Sequence, residues 1–89
     1  MPTIAFTRAL ERFLAAPSAT VEGATVGDAL AAVFAARPAL RSYVVDDQGA
    51  LRRHVIVTIN GQPARDRSGL TDPVGPRDDI YVFQALSGG

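Results

Sequence analysis

The stretch that decides the fold is Asp79-Ile80-Tyr81-Val82-Phe83-Gln84-Ala85-Leu86-Ser87-Gly88-Gly89, at the end of the 89-residue sequence. Its β-branched and aromatic residues alternate, which predicts a strand over residues 80–86. The two glycines have no Cβ atom, so we expect residues 87–89 to form a thin and flexible tail. A tail of this kind can enter the active site of another protein and react there through its carboxylate. The strand has two faces, one with Ile80 and Val82 and the other with Tyr81 and Phe83.

A hairpin is predicted immediately upstream. Residues 54–59 form a β-branched run whose inward face carries Val55, Val57 and Ile59. The dipeptide Asn60-Gly61 follows, and it favours a tight turn because both residues tolerate positive φ. A short polar edge strand is expected over residues 62–65. The glycines and prolines of residues 66–79 then predict a loop.

The clearest helix signal lies in the middle of the chain. Thr25 is a good N-cap residue, and Asp28 stands three positions later in a variant of the capping box. The helix is expected to stop before Pro38, because a residue that precedes proline disfavours the α conformation. Residues 38–44 are expected to form a second, short helical turn. The apolar stripe of the main helix consists of Val26, Ala29, Leu30, Val33 and Phe34.

The first part of the chain predicts two more strands, over residues 3–7 and 18–22. Residues 8–16 have helical spacing and are interpreted as either a turn of helix or a broad loop. One long helix between two strand regions predicts an α+β fold, with a mixed sheet of four to five strands packed on one main helix. We expect a single domain over residues 1–86 and a reactive tail over residues 87–89.

Composition excludes several classes of function. The absence of cysteine excludes disulfides, thiolate metal sites and cysteine nucleophiles. Nine basic residues balance nine acidic ones, so no net charge attracts nucleic acid or a membrane. All nine basic residues are arginine, and the pair Arg52-Arg53 is interpreted as a solvated loop edge. No signal peptide or membrane span is predicted, so a cytoplasmic location is expected.

No arrangement of residues predicts a self-sufficient active site. His54 is the only histidine, and it is interpreted as a strand-edge residue rather than a metal ligand. Neighbouring residues on a strand point to opposite faces, so neither Asp46-Asp47 nor Asp78-Asp79 is a natural acid–base pair. The second pair is expected to cap the loop before the final strand.

The order of elements resembles the ubiquitin-like β-grasp fold, and more narrowly the bacterial sulfur carriers of the MoaD/ThiS family. The family includes the small subunit of molybdopterin synthase and the sulfur carrier of the thiamine pathway. Three motifs carry the resemblance, and it extends over essentially the whole chain. They are residues 25–30 at the start of the helix, residues 59–61 at the hairpin, and residues 78–89 from the final strand to Gly88 and Gly89.

The resemblance implies a co-substrate rather than an enzyme. A partner related to ubiquitin-activating enzymes would adenylate the Gly89 carboxylate, with Gly88 beside it, using ATP and magnesium that the partner binds. A sulfur donor would then form a Gly89 thiocarboxylate, and an acceptor enzyme of a biosynthetic pathway would use that sulfur. Neither nucleic acid nor a membrane is expected as a partner, no metal site is expected, and no bound cofactor is expected on this chain. Molybdopterin, thiamine, cysteine and secondary-metabolite pathways all stay open.

A partner-binding surface is predicted beside the tail. If Ile80 and Val82 face the helix, the aromatic residues of the same strand face away from it, and exposed aromatic patches often bind partners. The alternative is that residues 8–16 or a second copy cover this patch. The predicted partner-binding residues are Tyr81, Phe83, Leu86, Ile56 and Thr58.

Two further functions compete with the sulfur carrier. The first is a ubiquitin-like protein modifier that is joined through Gly89 to lysines of other proteins. The second is a non-catalytic β-grasp interaction module in which the two glycines have no chemical role.

Overall fold

The computed structural model describes residues 1–6 and 18–84, without the side chains of residues 18 and 19. The predictions for residues 8–16, for Leu86 and for Gly88 and Gly89 therefore lie outside the described residues. Two helices and five strands are found in the described part. In chain order they are β1 (Thr3–Phe6), β2 (Ser18–Thr20), α1 (Val26–Ala36), α2 (Pro38–Val44), β3 (Val55–Ile59), β4 (Gln62–Pro63) and β5 (Asp79–Gln84).

The five strands form one mixed sheet in the order β2-β1-β5-β3-β4. The last strand, β5, lies in the centre, parallel to β1 and antiparallel to β3. The prediction of an α+β fold with a mixed sheet and one main helix is confirmed. Strand β5 is central: it pairs with β1 up to Val82 and with β3 up to Gln84, so the segment after Gln84 starts from a strand that is held by β3 at its end.

The core lies between the sheet and helix α1. Buried residues of α1 are those of the predicted stripe, except that Phe34 is only partly buried. Leu40 and Val44 of α2 add to the same cluster, so the second helical turn is a true element of the core. The largest side chains that are almost fully buried include Ile4, Leu30, Leu40, Ile80, Val55, Val57 and Val82.

Helix α1 begins and ends where the sequence predicts. The Thr25 side chain accepts a hydrogen bond from the Asp28 amide at 3.1 Å. The Asp28 carboxylate accepts from the Ala24 amide at 3.4 Å, one residue before the position used in the standard capping box. At the other end the Arg37 amide donates to the Val33 carbonyl, and Pro38 starts α2 without needing an amide donor.

Several strands are shorter than predicted. Strand β4 stops at Pro63 rather than residue 65, because the amides of Arg65 and Asp66 donate to the Asp72 carboxylate instead. Strand β2 stops at Thr20 rather than residue 22. Strand β3 begins at Val55, whose amide closes a turn onto the Arg52 carbonyl. His54 therefore lies in this exposed turn just before the strand, not in the strand itself.

Candidate functional site

The outward face of β5 is the first part of the candidate site. Ile80 and Val82 are buried against the core, whereas Tyr81 is 42% exposed and Phe83 is partly exposed. The alternation predicted for this strand is confirmed. The face of the sheet opposite the helices thus carries two aromatic side chains on the strand that leads to the tail.

The register of β3 and β5 places the other predicted residues beside these aromatics. Ile56 lies opposite Phe83, and Thr58 lies opposite Tyr81. The rings of Tyr81 and Phe83 stack at a centroid distance of 5.4 Å. Side chains opposite each other in an antiparallel pair are direct neighbours. We call Tyr81, Phe83, Ile56 and Thr58 the aromatic patch; Leu86, also predicted to belong to it, lies outside the described residues.

The end of β5 fixes where the chain leaves the sheet. Gln84, the last described residue, pairs with Val55 at the start of β3. The turn that precedes Val55 contains Arg52, Arg53 and His54, so this turn borders the point of exit. Arg67 joins it, because its guanidinium donates to the Arg52 carbonyl at 2.8 Å. Sequence reasoning missed Arg67, since no motif links it to a turn fourteen residues earlier.

The start of β5 is held by its own set of hydrogen bonds. The Asp78 carboxylate accepts from the Gly75 amide at 2.7 Å and from the Asn60 side chain at 2.9 Å. These two donors, the Gly75 amide first, lower the pKa of Asp78. The predicted capping role of Asp78-Asp79 is confirmed for Asp78. The Asp78 carboxylate therefore makes structural hydrogen bonds and is not available as a catalytic base.

A second carboxylate organises the loop between β4 and β5. Asp66 accepts from the Thr71 hydroxyl at 2.6 Å and from the Gly69 amide at 2.8 Å. The Thr71 hydroxyl, followed by the Gly69 amide, lowers the pKa of Asp66 to about 2. Asp72 has its pKa lowered by the amides of Arg65 and Asp66. These residues shape the loop that carries Arg67.

Comparison with known proteins identifies the family. The model of the ThiS family matches residues 12–89, which is most of the chain and includes both glycines. The protein belongs to the ThiS family. The homologues that this chain matches are ubiquitin-like small modifiers and sulfur carriers of the MoaD/ThiS type, and these homologues are not enzymes themselves. The β-grasp fold implied by the sequence motifs is therefore confirmed.

Among its relatives is small archaeal modifier protein 1 of Haloferax volcanii. The chain is 42% identical to it over 66 residues, covering 74% of this chain and 71% of that protein. A crystal structure of that modifier matches with a TM-score of 0.82 and 33% identity, over 99% of this chain and 98% of the other. A chain in the crystal structure of the Amycolatopsis orientalis BexX/CysO complex matches with a TM-score of 0.87 over the full length of both chains. Its identity is 23%, so this likeness shows the fold alone.

The described residues of this ThiS-family chain offer neither a membrane-spanning helix nor a cluster of metal ligands. Neither described helix is long and apolar enough to cross a membrane. Within residues 1–6 and 18–84, no three acidic or histidine side chains lie close enough together to hold a metal ion. The candidate site therefore has three described parts. They are a stacked aromatic surface, a turn rich in arginine, and the central strand that precedes the two glycines in sequence.

Proposed function

We propose that the protein is a sulfur carrier that works through the carboxylate of Gly89. The observation that carries the proposal is the ThiS-family match, which extends through Gly88 and Gly89. In this function a partner enzyme binds ATP and magnesium, and the Gly89 carboxylate attacks the α-phosphorus of ATP. Pyrophosphate leaves, and an acyl-adenylate forms on Gly89.

The second step exchanges oxygen for sulfur at the same carbon. A donor at the oxidation level of sulfide attacks the acyl-adenylate carbonyl, the C–O bond to AMP breaks, and AMP leaves. The product is a Gly89 thiocarboxylate, which then gives its sulfur to an acceptor held by a biosynthetic enzyme. The carrier supplies the reacting carbon, and the partner enzymes supply the catalytic groups.

The sheet supports such a role through the position of β5. This strand pairs with β1 up to Val82 and with β3 up to Gln84, so its end gives residues 85–89 a fixed starting point. Five residues extend over at most about 17 Å, which is long enough to reach a buried active site in a partner. The aromatic patch lies on the same strand, so a partner that binds Tyr81 and Phe83 would receive the tail in a fixed direction.

The aromatic patch is the surface on which we expect the activating enzyme to dock. Tyr81 is exposed, and its ring is held in place by the stack with Phe83. A rigid aromatic side chain loses little conformational entropy on binding, and aromatic residues are frequent hot spots in interfaces. Ile56 adds apolar area beside Phe83 on the neighbouring strand.

A second function is favoured by one specific observation. The relative that is 42% identical is named a modifier, and covalent attachment to proteins uses the same activated carboxylate. In that function a lysine amine of a target protein, rather than a sulfur donor, attacks the carbonyl of the activated Gly89. AMP or a later leaving group departs, and an amide bond to the target forms.

One experiment separates these functions. The protein is purified from its own host, and its intact mass is measured before and after incubation with ATP, magnesium, the activating enzyme and sulfide. A mass increase that equals one oxygen exchanged for sulfur, located at Gly89, supports the sulfur carrier. A series of higher-mass conjugates in cells, lost when Gly89 is deleted, supports the modifier. If neither the thiocarboxylate nor the conjugates formed, and the protein still worked in cells with extra residues after Gly89, the non-catalytic interaction module would be the remaining function.

A further inference from the structure

Three arginines meet beside the tail exit, and we call them the arginine cluster: Arg52 and Arg53 at the turn before β3, and Arg67 in the loop between β4 and β5. Considered as a sequence, Arg52-Arg53 indicates only a solvated loop edge. The fold adds Arg67, whose guanidinium donates to the Arg52 carbonyl at 2.8 Å and approaches the Arg53 carbonyl at 3.5 Å. The Leu51 amide donates to the Arg67 carbonyl at 2.8 Å, so backbone and side chain both join the two segments.

Two of these cations are held in place by neutral partners. Arg52 Nε donates to the Ser42 carbonyl at 2.6 Å, in the last turn of α2. Among the described residues, the hydrogen bonds of the Arg52 and Arg67 side chains all go to carbonyl oxygens. A carbonyl orients a guanidinium without neutralising its charge, and most of its five N–H donors stay available. The Arg53 side chain is exposed and has no hydrogen-bond partner in the described residues.

The carboxylates near the cluster accept hydrogen bonds within their own loops. The Asp66 carboxylate, next to Arg67 in sequence, accepts from the Thr71 hydroxyl and the Gly69 amide. The Asp46 carboxylate accepts from the amides of Gln48 and Ala50, at 2.8 and 3.1 Å, within its own turn. Asp47 lies exposed at the tip of that turn. Asp78 and Asp79 lie at the opposite end of β5, about 17 Å away at the usual rise per strand residue. The arginine cluster is therefore a local positive surface on a protein of zero net charge.

The cluster borders the exit of the tail. Val55 and Gln84 are opposite each other in the sheet, and Arg53 precedes Val55 by two residues. Two peptide units plus one cross-strand step place the Arg53 Cα within about 13 Å of the Gln84 Cα. In the register of β3 and β5, the aromatic patch leads from Thr58 and Tyr81 through Ile56 and Phe83 to this same edge.

We propose that the arginine cluster docks an acidic surface of the activating enzyme beside the opening that admits the tail. This inference rests on the proposed activation of Gly89. A protein surface fits better than the phosphates of ATP, because the five residues after Gln84 can separate the end of the sheet from the Gly89 carboxylate by up to about 17 Å. Arginines at the base of an extended tail therefore meet the rim of the opening rather than the nucleotide inside. Charges at such a rim accelerate association and make it sensitive to salt.

The test uses three charge variants with the activating enzyme of the same host. Arg53→Glu reverses a charge in the cluster, and Arg53→Lys keeps that charge. The control is Arg77→Glu, which makes the same change in net charge at an exposed position near the start of β5. Two quantities are measured at low and high salt: the dissociation constant of carrier and enzyme without ATP, and kcat/KM for the carrier in ATP–pyrophosphate exchange.

We expect Arg53→Glu to weaken binding and lower kcat/KM about tenfold at low salt, with a smaller loss at high salt. Arg53→Lys and Arg77→Glu should stay within about twofold of the parent protein, a difference too small to reflect a lost charge contact. Equal effects of Arg53→Glu and Arg77→Glu would overturn the proposal, and so would a defect confined to the KM for ATP. If Arg53→Glu weakened binding as expected but the parent protein supported no ATP–pyrophosphate exchange, the docking surface would be retained and activation of Gly89 would be refuted.

Discussion

Asn60 holds Asp78 at the start of the central strand: Asn60 Nδ2 donates to Asp78 Oδ1 at 2.9 Å. The same amide group accepts from the Asp79 amide through Oδ1, also at 2.9 Å. Asn60 is in the left-handed region with φ of 53°, and Gly61 follows with φ of 85°. The hairpin turn therefore also fixes the start of β5, the strand on which the candidate site is built.

This double role predicts unequal effects of two substitutions at residue 60. Asn60→Ala loses both side-chain hydrogen bonds and places a less tolerant residue at positive φ, which alone costs about 1–2 kcal/mol. Asn60→Gly loses the same hydrogen bonds but accepts the backbone conformation without strain. Urea unfolding should give a lower free energy of unfolding for Asn60→Ala than for Asn60→Gly, and both should be below the parent. Equal stability of the two variants would contradict the claim that the positive φ of residue 60 destabilises alanine relative to glycine.

The loop that carries Arg67 should loosen in acid. The pKa of Asp66 falls from its ordinary 3.8 to about 2 in the folded protein, mainly through the Thr71 hydroxyl and the Gly69 amide. Because the folded pKa lies below the unfolded one, this carboxylate stabilises the fold above pH 3.8, and the contribution is lost as pH falls towards about 2. The lowered pKa values of Asp72 and Asp78 act in the same direction.

Asp66→Asn tests this pH dependence directly. The variant should be less stable than the parent at neutral pH, and the difference should shrink as pH falls towards 2, because the parent carboxylate is then increasingly protonated. Asp47→Asn is the matched control, since the Asp47 carboxylate is exposed and makes no hydrogen bond in the described residues. Thermal unfolding between pH 2 and 7 measures both. If the stability difference between Asp66→Asn and the parent did not change with pH, the acid sensitivity could not be assigned to the Asp66 carboxylate.

Adjacent residues on β5 should separate folding from partner binding. Ile80 is 1% exposed and Tyr81 is 42% exposed, although they are neighbours in the chain. Ile80→Ala removes core volume and should cost about 2–5 kcal/mol of unfolding free energy. Tyr81→Ala loses a ring stack and cross-strand contact and should cost about 1 kcal/mol or less. Its binding to the activating enzyme should nevertheless weaken at least tenfold, since interface hot spots cost about 2 kcal/mol or more.

The measurement for this pair combines urea unfolding with a binding titration. Thr58→Ala extends the comparison across the sheet, since Thr58 lies opposite Tyr81 on β3. If Tyr81→Ala destabilised the protein as much as Ile80→Ala and left binding intact, the outward face of β5 would be a structural surface and not a docking site.

Much of this site could be predicted because it depends on strand alternation. The period of two assigned Ile80 and Val82 to the core and Tyr81 to the surface, and the positive φ that Asn60-Gly61 tolerates set the hairpin. The position of Arg67 could not be predicted, because it depends on hydrogen bonds that link a loop to a turn far away in sequence. The end of β4 was also missed, since the Asp72 carboxylate accepts from the amide of Arg65, which local sequence assigns to the strand, and from that of Asp66, the next residue.

The tail itself gives the sharpest chemical prediction. Gly89→Ala adds a methyl group beside the reacting carboxylate, and a displacement of about 1 Å from attack geometry can cost roughly a hundredfold in rate. Gly75→Ala is a matched control, because a Cβ there would meet Asp78 at an ordinary contact distance of 3.7 Å. We expect the rate of adenylation of Gly89→Ala, measured by ATP–pyrophosphate exchange, to fall about a hundredfold. The melting temperature of the variant should equal that of the parent. Gly75→Ala should retain exchange activity. Full exchange activity in Gly89→Ala would show that the partner does not require a narrow path to the carboxylate, and the role assigned to the two glycines would then be wrong.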